Sequence, residues 1–161
     1  MSNVSAAGIV LSAMPIGEYD RRLEILTSSF GRISVFARGA RRPSSDLVSV
    51  SRVFAAGRFE LFQGRSSYTL KSAKITEYFD FLTEDIDQLY YGYYFLEVAR
   101  FFSRENVESR EMLDLLYASL KALGIEKLDN RLIRSVFELK MLQINGICPS
   151  ADQIISPDSR Y

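Results

Sequence analysis

"RLEILTSSFGRISVFARGARRPSSDL", residues 22–47, contains the pattern that decides the fold. Two short runs of apolar and β-branched residues, Arg22–Thr27 and Arg32–Ala37, flank the turn-forming sequence SSFG. This arrangement predicts two antiparallel strands joined by a tight turn. The second strand leads into a loop that carries three arginines around Gly39 and Pro43.

The rest of the first half of the chain has the same character, with short apolar runs separated by glycine, serine and proline. The five predicted strands are Gly8–Met14, Arg22–Thr27, Arg32–Ala37, Val48–Phe62 (bent near Gly57) and Tyr68–Thr76. Five short strands suggest a small barrel, and the OB-fold is the five-stranded barrel that binds oligonucleotides through strands 2 and 3 and the loops joining strands 1–2 and 4–5. We therefore expect an OB-fold over residues 1–80.

After residue 82, apolar residues recur every three or four positions, which is typical of amphipathic helices. A first helix should follow Thr83 as its N-cap, a second should contain Met112 to Leu123, and a third should run from Asp129 to Gly146. Gly92 in the first helix suggests close packing at that point. The predicted fold class is therefore α+β, with a five-stranded OB-fold barrel followed by a small helical bundle domain over residues 81–161.

The charge of the chain is unevenly distributed. The 20 basic and 20 acidic residues balance overall, but residues 1–80 have four more basic than acidic residues, and residues 81–161 have four more acidic than basic ones. Within residues 21–65 there are nine arginines and three acids. The first half is thus a basic module, which points to a polyanionic partner.

The candidate DNA-binding residues come from strand 3 and from the adjoining loops. The two-residue period of a strand places Arg32, Phe36 and Arg38 on one face. The loop joining strands 1 and 2 ends at Arg21, and QGRSS joins strands 4 and 5. The full predicted set is Arg38, Arg41, Arg42, Arg32, Arg21, Arg22, Arg65 and Phe36.

These residue types suit a strand of nucleic acid. Guanidinium groups pair with phosphate oxygens and release counterions, and an exposed ring can stack on any base. The ordinary alternatives are that the loop arginines are simply solvated and that Phe36 is buried. Arg52 and Arg58 could pair with acids such as Glu60, and Asp20 is more readily explained by a turn that holds Arg21 or Arg22 than by catalysis.

The same residues resemble a known family. The stretch GIVLSAMPIGEYDRRLEILTSSFGRISVFARGARRPSSDL, residues 8–47, resembles the N-terminal signature of the bacterial recombination mediator RecO family. The segments ELFQGRSSYTLKSAKITEYF, LYYGYYFLEVARFF and FELKMLQINGICP are similar to later parts of that family, so the resemblance covers most of the chain.

The resemblance implies a DNA-repair protein that binds single- and double-stranded DNA and anneals complementary strands. It also implies that the protein works with RecR to load RecA onto DNA coated by single-strand-binding protein, without being an enzyme. The expected location is the cytoplasm, in association with the bacterial nucleoid.

Two departures from the family pattern affect these expectations. Many relatives have a zinc-binding cysteine cluster after the Gly-x-x-Pro sequence, but Ile154 and Pro157 stand roughly where its first pair would fall, so we predict no metal and no cofactor. The helical domain also looks short for the family, which puts docking of the single-strand-binding protein's acidic tail in question.

Other features narrow the function classes. The single cysteine, Cys148, excludes an internal disulfide and is expected to be a small buried residue. The chain has no histidine, which excludes a Cys-His nucleophile. No run of residues has the length and hydropathy of a signal peptide or membrane span.

The sequence leaves three function classes to compare. The first is a DNA-binding mediator. The second is an OB-fold adaptor module that binds an acidic protein partner. An enzyme is the third, and no phosphate-binding or metal-ligand motif supports it.

Overall fold

The strand over Gly31–Ala37 shows the alternation that its sequence predicts. In the computed structural model, which describes residues 1–147, Ile33, Val35 and Ala37 are buried inside a barrel, and the intervening side chains are partly exposed. Such alternation arises because successive side chains of a strand point to opposite faces of the sheet.

Five strands close into a barrel in the order β1-β2-β3-β5-β4. Neighbouring strands are antiparallel except β3 and β5, which run parallel. The strands are β1 (Ser2–Ile16), β2 (Asp20–Thr27), β3 (Gly31–Ala37), β4 (Ala56–Gln63) and β5 (Tyr68–Glu77). A five-stranded barrel followed by helices confirms the predicted α+β class with its N-terminal OB-fold.

Residues 48–55 do not belong to a strand, so the predicted strand Val48–Phe62 is wrong in its first half. Leu47–Val50 forms a short helix, α1, and β4 begins only at Ala56. Leu47 and Val50 pack against the barrel core, so these apolar residues cover one end of the barrel. Phe54 has a left-handed φ of 74°, which lies outside the extended region of a regular strand.

The helical half begins with a 3₁₀ helix over Asp80–Glu84. Three α-helices follow, namely α2 (Ile86–Phe102), α3 (Arg110–Ala122) and α4 (Asn130–Ile144). Asp85, not the predicted Thr83, is the N-cap of α2, because its carboxylate accepts the Asp87 and Gln88 N–H groups. Asp129 caps α4 through the N–H of Arg131, close to its predicted position.

The two halves share a second apolar core outside the barrel. Ile9, Leu11 and Leu26 lie on the outer wall of β1 and β2 and are buried in a core that they share with residues of α2, α3 and α4. The segment joining α2 to α3 also pairs with the β2–β3 turn, since the N–H of Asn106 donates to Phe30 O at 2.8 Å. The helices therefore cover one part of the β2–β3 surface.

The predictions about Cys148, Ile154 and Pro157 lie outside the described residues. In the part of the chain that the structure describes, no helix combines the length and hydropathy needed to cross a membrane. No group of three or more potential metal ligands occurs among residues 1–147.

Candidate nucleic-acid interface

The arginine loop, residues 38–46, folds back onto the turn between β1 and β2. The backbone N–H of Arg41 donates to Tyr19 O at 2.8 Å, and Arg41 Nη1 donates to Gly17 O at 3.0 Å. The guanidinium of Arg42 lies 4.1 Å from the centre of the Tyr19 ring. These contacts hold the loop at the end of the barrel where β1, β2 and β3 meet.

The three arginines of this loop are exposed and carry uncompensated charge. Among residues 1–147, none of Arg38, Arg41 and Arg42 lies within 4.0 Å of a carboxylate oxygen. The partners of Arg41 and Arg42 are a carbonyl oxygen and an aromatic ring, and neither cancels a positive charge. All three guanidiniums can therefore attract an anion from solvent.

Two more predicted residues adjoin the loop. Arg22 on β2 is directly opposite Phe36 on β3, and Arg22 Nε donates to Ser34 Oγ at 3.0 Å. Arg22 is exposed and Phe36 is half-buried, and the arginine loop begins two residues beyond Phe36. The five residues Arg22, Phe36, Arg38, Arg41 and Arg42 form one continuous area, which we call the basic surface.

Arg21 has a different environment from its neighbour Arg22. Its Nη1 donates to Val48 O at 3.0 Å and to Ser51 Oγ at 2.8 Å. The side chain is half-buried. It thereby anchors the end of α1 to the barrel, a contact that the sequence did not reveal because the partners are 27 and 30 residues away.

Arg32 is engaged with the helical half. Its Nε and Nη2 both donate to Ser103 O at 3.4 Å, and its Nη1 lies 3.4 Å from Glu24 Oε1. Glu24 also binds Arg100 of α2, and the pKa of Arg100 is raised chiefly by the hydrogen bond to this carboxylate. The structure thus places Arg32 at a contact between the barrel and α2, apart from the basic surface.

Arg65 is exposed on the β4–β5 loop and does not lie with the other arginines. Tyr68, where β5 starts, is paired with Val35 of β3, and its ring is 6.0 Å from that of Phe30 in the β2–β3 turn. Because β3 and β5 are parallel, residues before Tyr68 lie toward the start of β3. The arginine loop follows the end of β3, so Arg65 lies toward the other end of this strand.

Sequence reasoning missed the role of Asp20, which holds the arginine loop, and the partners of two arginines outside the basic surface. Asp20 Oδ1 accepts the N–H of Gly39 at 2.7 Å, in place of the arginine contact that was predicted. Arg52 pairs with an acid, as its sequence suggests, but the acid is Asp80, at 2.7 Å, and its guanidinium also stacks on Tyr78. Arg58 donates to Ser5, whose hydroxyl donates to Glu60.

A five-stranded barrel with an exposed basic loop is followed by helices that pack on its wall, which is the architecture of an OB-fold protein with a helical C-terminal half. Residues 1–79 match the family model described as recombination protein O N terminal, and residues 83–156 match the one described as recombination protein O C terminal. The chain belongs to the RecO family.

Curated relatives carry the name DNA repair protein RecO. The chain is 33% identical over 153 residues to that of Alkaliphilus metalliredigens, 32% over 149 residues to that of Acetivibrio thermocellus, and 28% over 151 residues to that of Halalkalibacterium halodurans. These matches include 95%, 92% and 94% of this chain, but 62%, 59% and 59% of the relatives. The chain thus spans about three-fifths of the length of these relatives.

Proposed function

We propose that this chain is a DNA-binding mediator of recombinational repair without catalytic activity. It binds single- and double-stranded DNA, anneals complementary strands, and helps RecR to load RecA onto DNA coated by single-strand-binding protein. Membership of the RecO family supports this proposal. The single observation that carries it is the exposed set Arg38, Arg41 and Arg42, which has no carboxylate partner among residues 1–147.

The basic surface suits binding and does not suit bond cleavage. An arginine stays protonated at any physiological pH, so it can hold a phosphate but cannot act as a general base. Four guanidiniums and a half-buried ring grip a sugar-phosphate chain without reading its sequence. Such sequence-independent binding is what strand annealing needs, because the two strands must remain free to pair.

The test is the salt dependence of binding to labelled oligonucleotides, followed by fluorescence anisotropy. If Arg22, Arg38, Arg41 and Arg42 each contact a phosphate, log affinity for single strands should fall against log salt with a slope near about −3. Replacing Arg38, Arg41 and Arg42 together with alanine should reduce that slope to about −1 and weaken binding similarly for all sequences.

A matched control removes the same charge elsewhere. Arg110, Lys127 and Arg131 are exposed on the helical half, and their replacement by alanine also lowers the net charge by three. This control should keep the slope of the parent protein. Equal losses in the two triple variants, or binding that ignores salt, would contradict the proposal.

The mediator step requires a separate assay. Assembly of RecA on DNA coated by single-strand-binding protein should accelerate when this chain and RecR are both present, and the loop triple variant should lose the acceleration. If the parent instead binds polyglutamate but no oligonucleotide, the chain is an adaptor for an acidic protein partner.

A further inference from the structure

A pocket of about 510 Å³ opens beside the arginine loop, between the end of β1, the residues preceding β4 and the start of the helical half. Its volume falls in the range of small-ligand sites, which occur preferentially where two domains meet. The lining residues that matter are Arg21, Arg41, Arg52, Phe54, Tyr78 and Tyr93. We call it the interdomain pocket.

The interdomain pocket is positively charged. Arg21 and Arg41 donate only to neutral oxygen atoms within the described part of the chain, and Arg52 pairs with Asp80 at 2.7 Å. Among the described residues that line the pocket, Asp80 supplies the single carboxylate. Arg21, Arg41 and Arg52 supply three guanidiniums. Two positive charges are therefore left for a ligand, and Arg41 belongs to the basic surface as well.

Aromatic rings form part of its wall. Tyr93 is 46% exposed, and its ring centre is 5.1 Å from that of the buried Phe54. Gly92 allows this approach, because a Cβ there would lie 3.1 Å from a Leu82 methyl carbon and 3.3 Å from the Phe54 ring. Tyr78 adds a further ring, on which the Arg52 guanidinium stacks at 4.2 Å.

We propose that the interdomain pocket receives one unstacked nucleotide of a single strand whose backbone follows the arginine loop. The base packs against the ring of Tyr93, and its phosphate is held by Arg21 and Arg41. This inference rests on the proposed DNA-binding function. It adds a preference for single strands, since removing a base from a duplex costs a few kcal/mol of unstacking and unpairing.

The test compares single- and double-stranded oligonucleotides of one sequence by anisotropy. Tyr93→Ala should weaken single-strand binding about tenfold, as expected when one base loses its aromatic partner, and leave duplex binding unchanged. Tyr93→Phe keeps the ring and should bind as the parent does. The matched control is Tyr90→Ala, because Tyr90 is on the same helix, is 69% exposed and lies outside the pocket.

A second variant should bind single strands more tightly than the parent protein does. Misfolding cannot produce such a gain in affinity. Asp80 is exposed, and Asp80→Asn removes its negative charge from the pocket. Single-strand binding should tighten roughly threefold, with no change for duplex. Far-UV circular dichroism verifies that each variant is folded.

The remaining outcomes each decide against the proposal. If Tyr93→Ala weakens the binding of both DNA forms equally, or does not weaken binding at all, no nucleotide binds in the pocket. Loss of polyglutamate binding alone would assign the pocket to an acidic protein. Adenosine monophosphate that competes as tightly as the oligonucleotide would make it a site for a free nucleotide.

The two proposals fail in different ways. If the parent protein binds no DNA, the proposed function itself is wrong. If the parent binds DNA with the expected salt slope but Tyr93→Ala binds single strands equally well, only the interdomain pocket proposal is overturned.

Discussion

The backbone N–H of Gly39 donates a 2.7 Å hydrogen bond to Oδ1 of Asp20. This bond joins the start of the arginine loop to the start of β2. Gly39 has a φ of 67°, a left-handed conformation that favours glycine, and the loop turns back over the barrel at this point. A carboxylate thus lies beside the basic surface, where its charge opposes anion binding and its hydrogen bond orders the loop.

Asp20→Ala separates these two effects. On charge alone, removing an acid should tighten DNA binding. We expect the opposite, about three- to tenfold weaker binding. The loss of a hydrogen bond to a charged group destabilises the loop by about 1.5 kcal/mol or more, which exceeds the gain from removing the charge. Asp20→Asn keeps an acceptor oxygen and removes the charge, so it should bind at least as well as the parent. Anisotropy titrations of the three proteins at one salt concentration measure the effect, and an Asp20→Ala variant that binds more tightly would refute the positioning role.

Much of the barrel could be predicted from the sequence because strand alternation is a local property. Ile33, Val35 and Ala37 are buried as the two-residue period requires. The failure over residues 48–55 has an equally physical cause. Val48, Val50 and Val53 favour strand locally, but α1 is held by Arg21 of β2, whose hydrogen bond to Val48 O joins residues 27 positions apart.

The candidate site was predicted less completely for the same reason. The loop arginines were found because an exposed basic loop is visible in the sequence. Nothing local distinguishes Arg32, which contacts Ser103 and Glu24, from Arg22, which faces solvent on the same sheet surface. The interdomain pocket could not be found at all, since its rings and guanidiniums come from segments as distant as Arg21 and Tyr93.

Substitution of Gly31 tests the contact between the β2–β3 turn and the segment before α3. Gly31 has a φ of 67°, and a Cβ there would lie 1.9 Å from Arg104 O and 2.7 Å from Val107 O. Gly31→Ala should lower the free energy of unfolding by about 3 kcal/mol, through backbone strain and a clash that the backbone must move to relieve. Urea unfolding followed by circular dichroism measures this value, and the absence of tryptophan makes that probe more suitable than intrinsic fluorescence.

Gly17 is the matched control for this experiment. Its φ of 56° is also left-handed, but a Cβ at this position would have no atom from elsewhere in the described chain within 4 Å. Gly17→Ala should therefore lower the free energy of unfolding only through backbone strain, by about 1 kcal/mol. Equal costs at the two glycines would mean that the segment before α3 does not pack tightly on the turn.

Glu24 joins the barrel to α2 by binding Arg32 and Arg100, and its side chain is only 20% exposed. Glu24→Ala should destabilise the protein by about 2 kcal/mol, because two partly buried guanidiniums are left facing each other. Glu97, which is 68% exposed and 3.9 Å from the same Arg100, offers a control that should change stability by less than about 0.5 kcal/mol. In a double-mutant cycle of Glu24→Ala with Arg100→Ala, additive losses would show that this pair is not coupled.

Two carboxylates that bind basic residues of the helical half should make the folded protein sensitive to acid. Glu77 at the end of β5 binds Lys121 of α3 at 2.8 Å, and this hydrogen bond is the main reason that its pKa is lowered. The pKa of Glu138 on α4 is lowered by hydrogen bonds from Arg134 and from the Tyr94 hydroxyl. The pKa of Tyr94 is raised by the same hydrogen bond to Glu138.

Because both folded-state pKa values lie below the unfolded value of about 4.3, the unfolded chain binds these protons first as the pH falls. The stabilisation by Glu77 and Glu138 is therefore complete above about pH 5 and is lost as the pH falls through the lowered folded-state pKa values. The variant Glu77→Gln with Glu138→Gln should be less stable than the parent at neutral pH and should lose stability less steeply below about pH 5. Urea unfolding at several pH values measures both slopes, with Glu126→Gln as a control because Glu126 is an exposed carboxylate between α3 and α4. A double variant with the acid slope of the parent would place the acid sensitivity of this protein elsewhere in the chain.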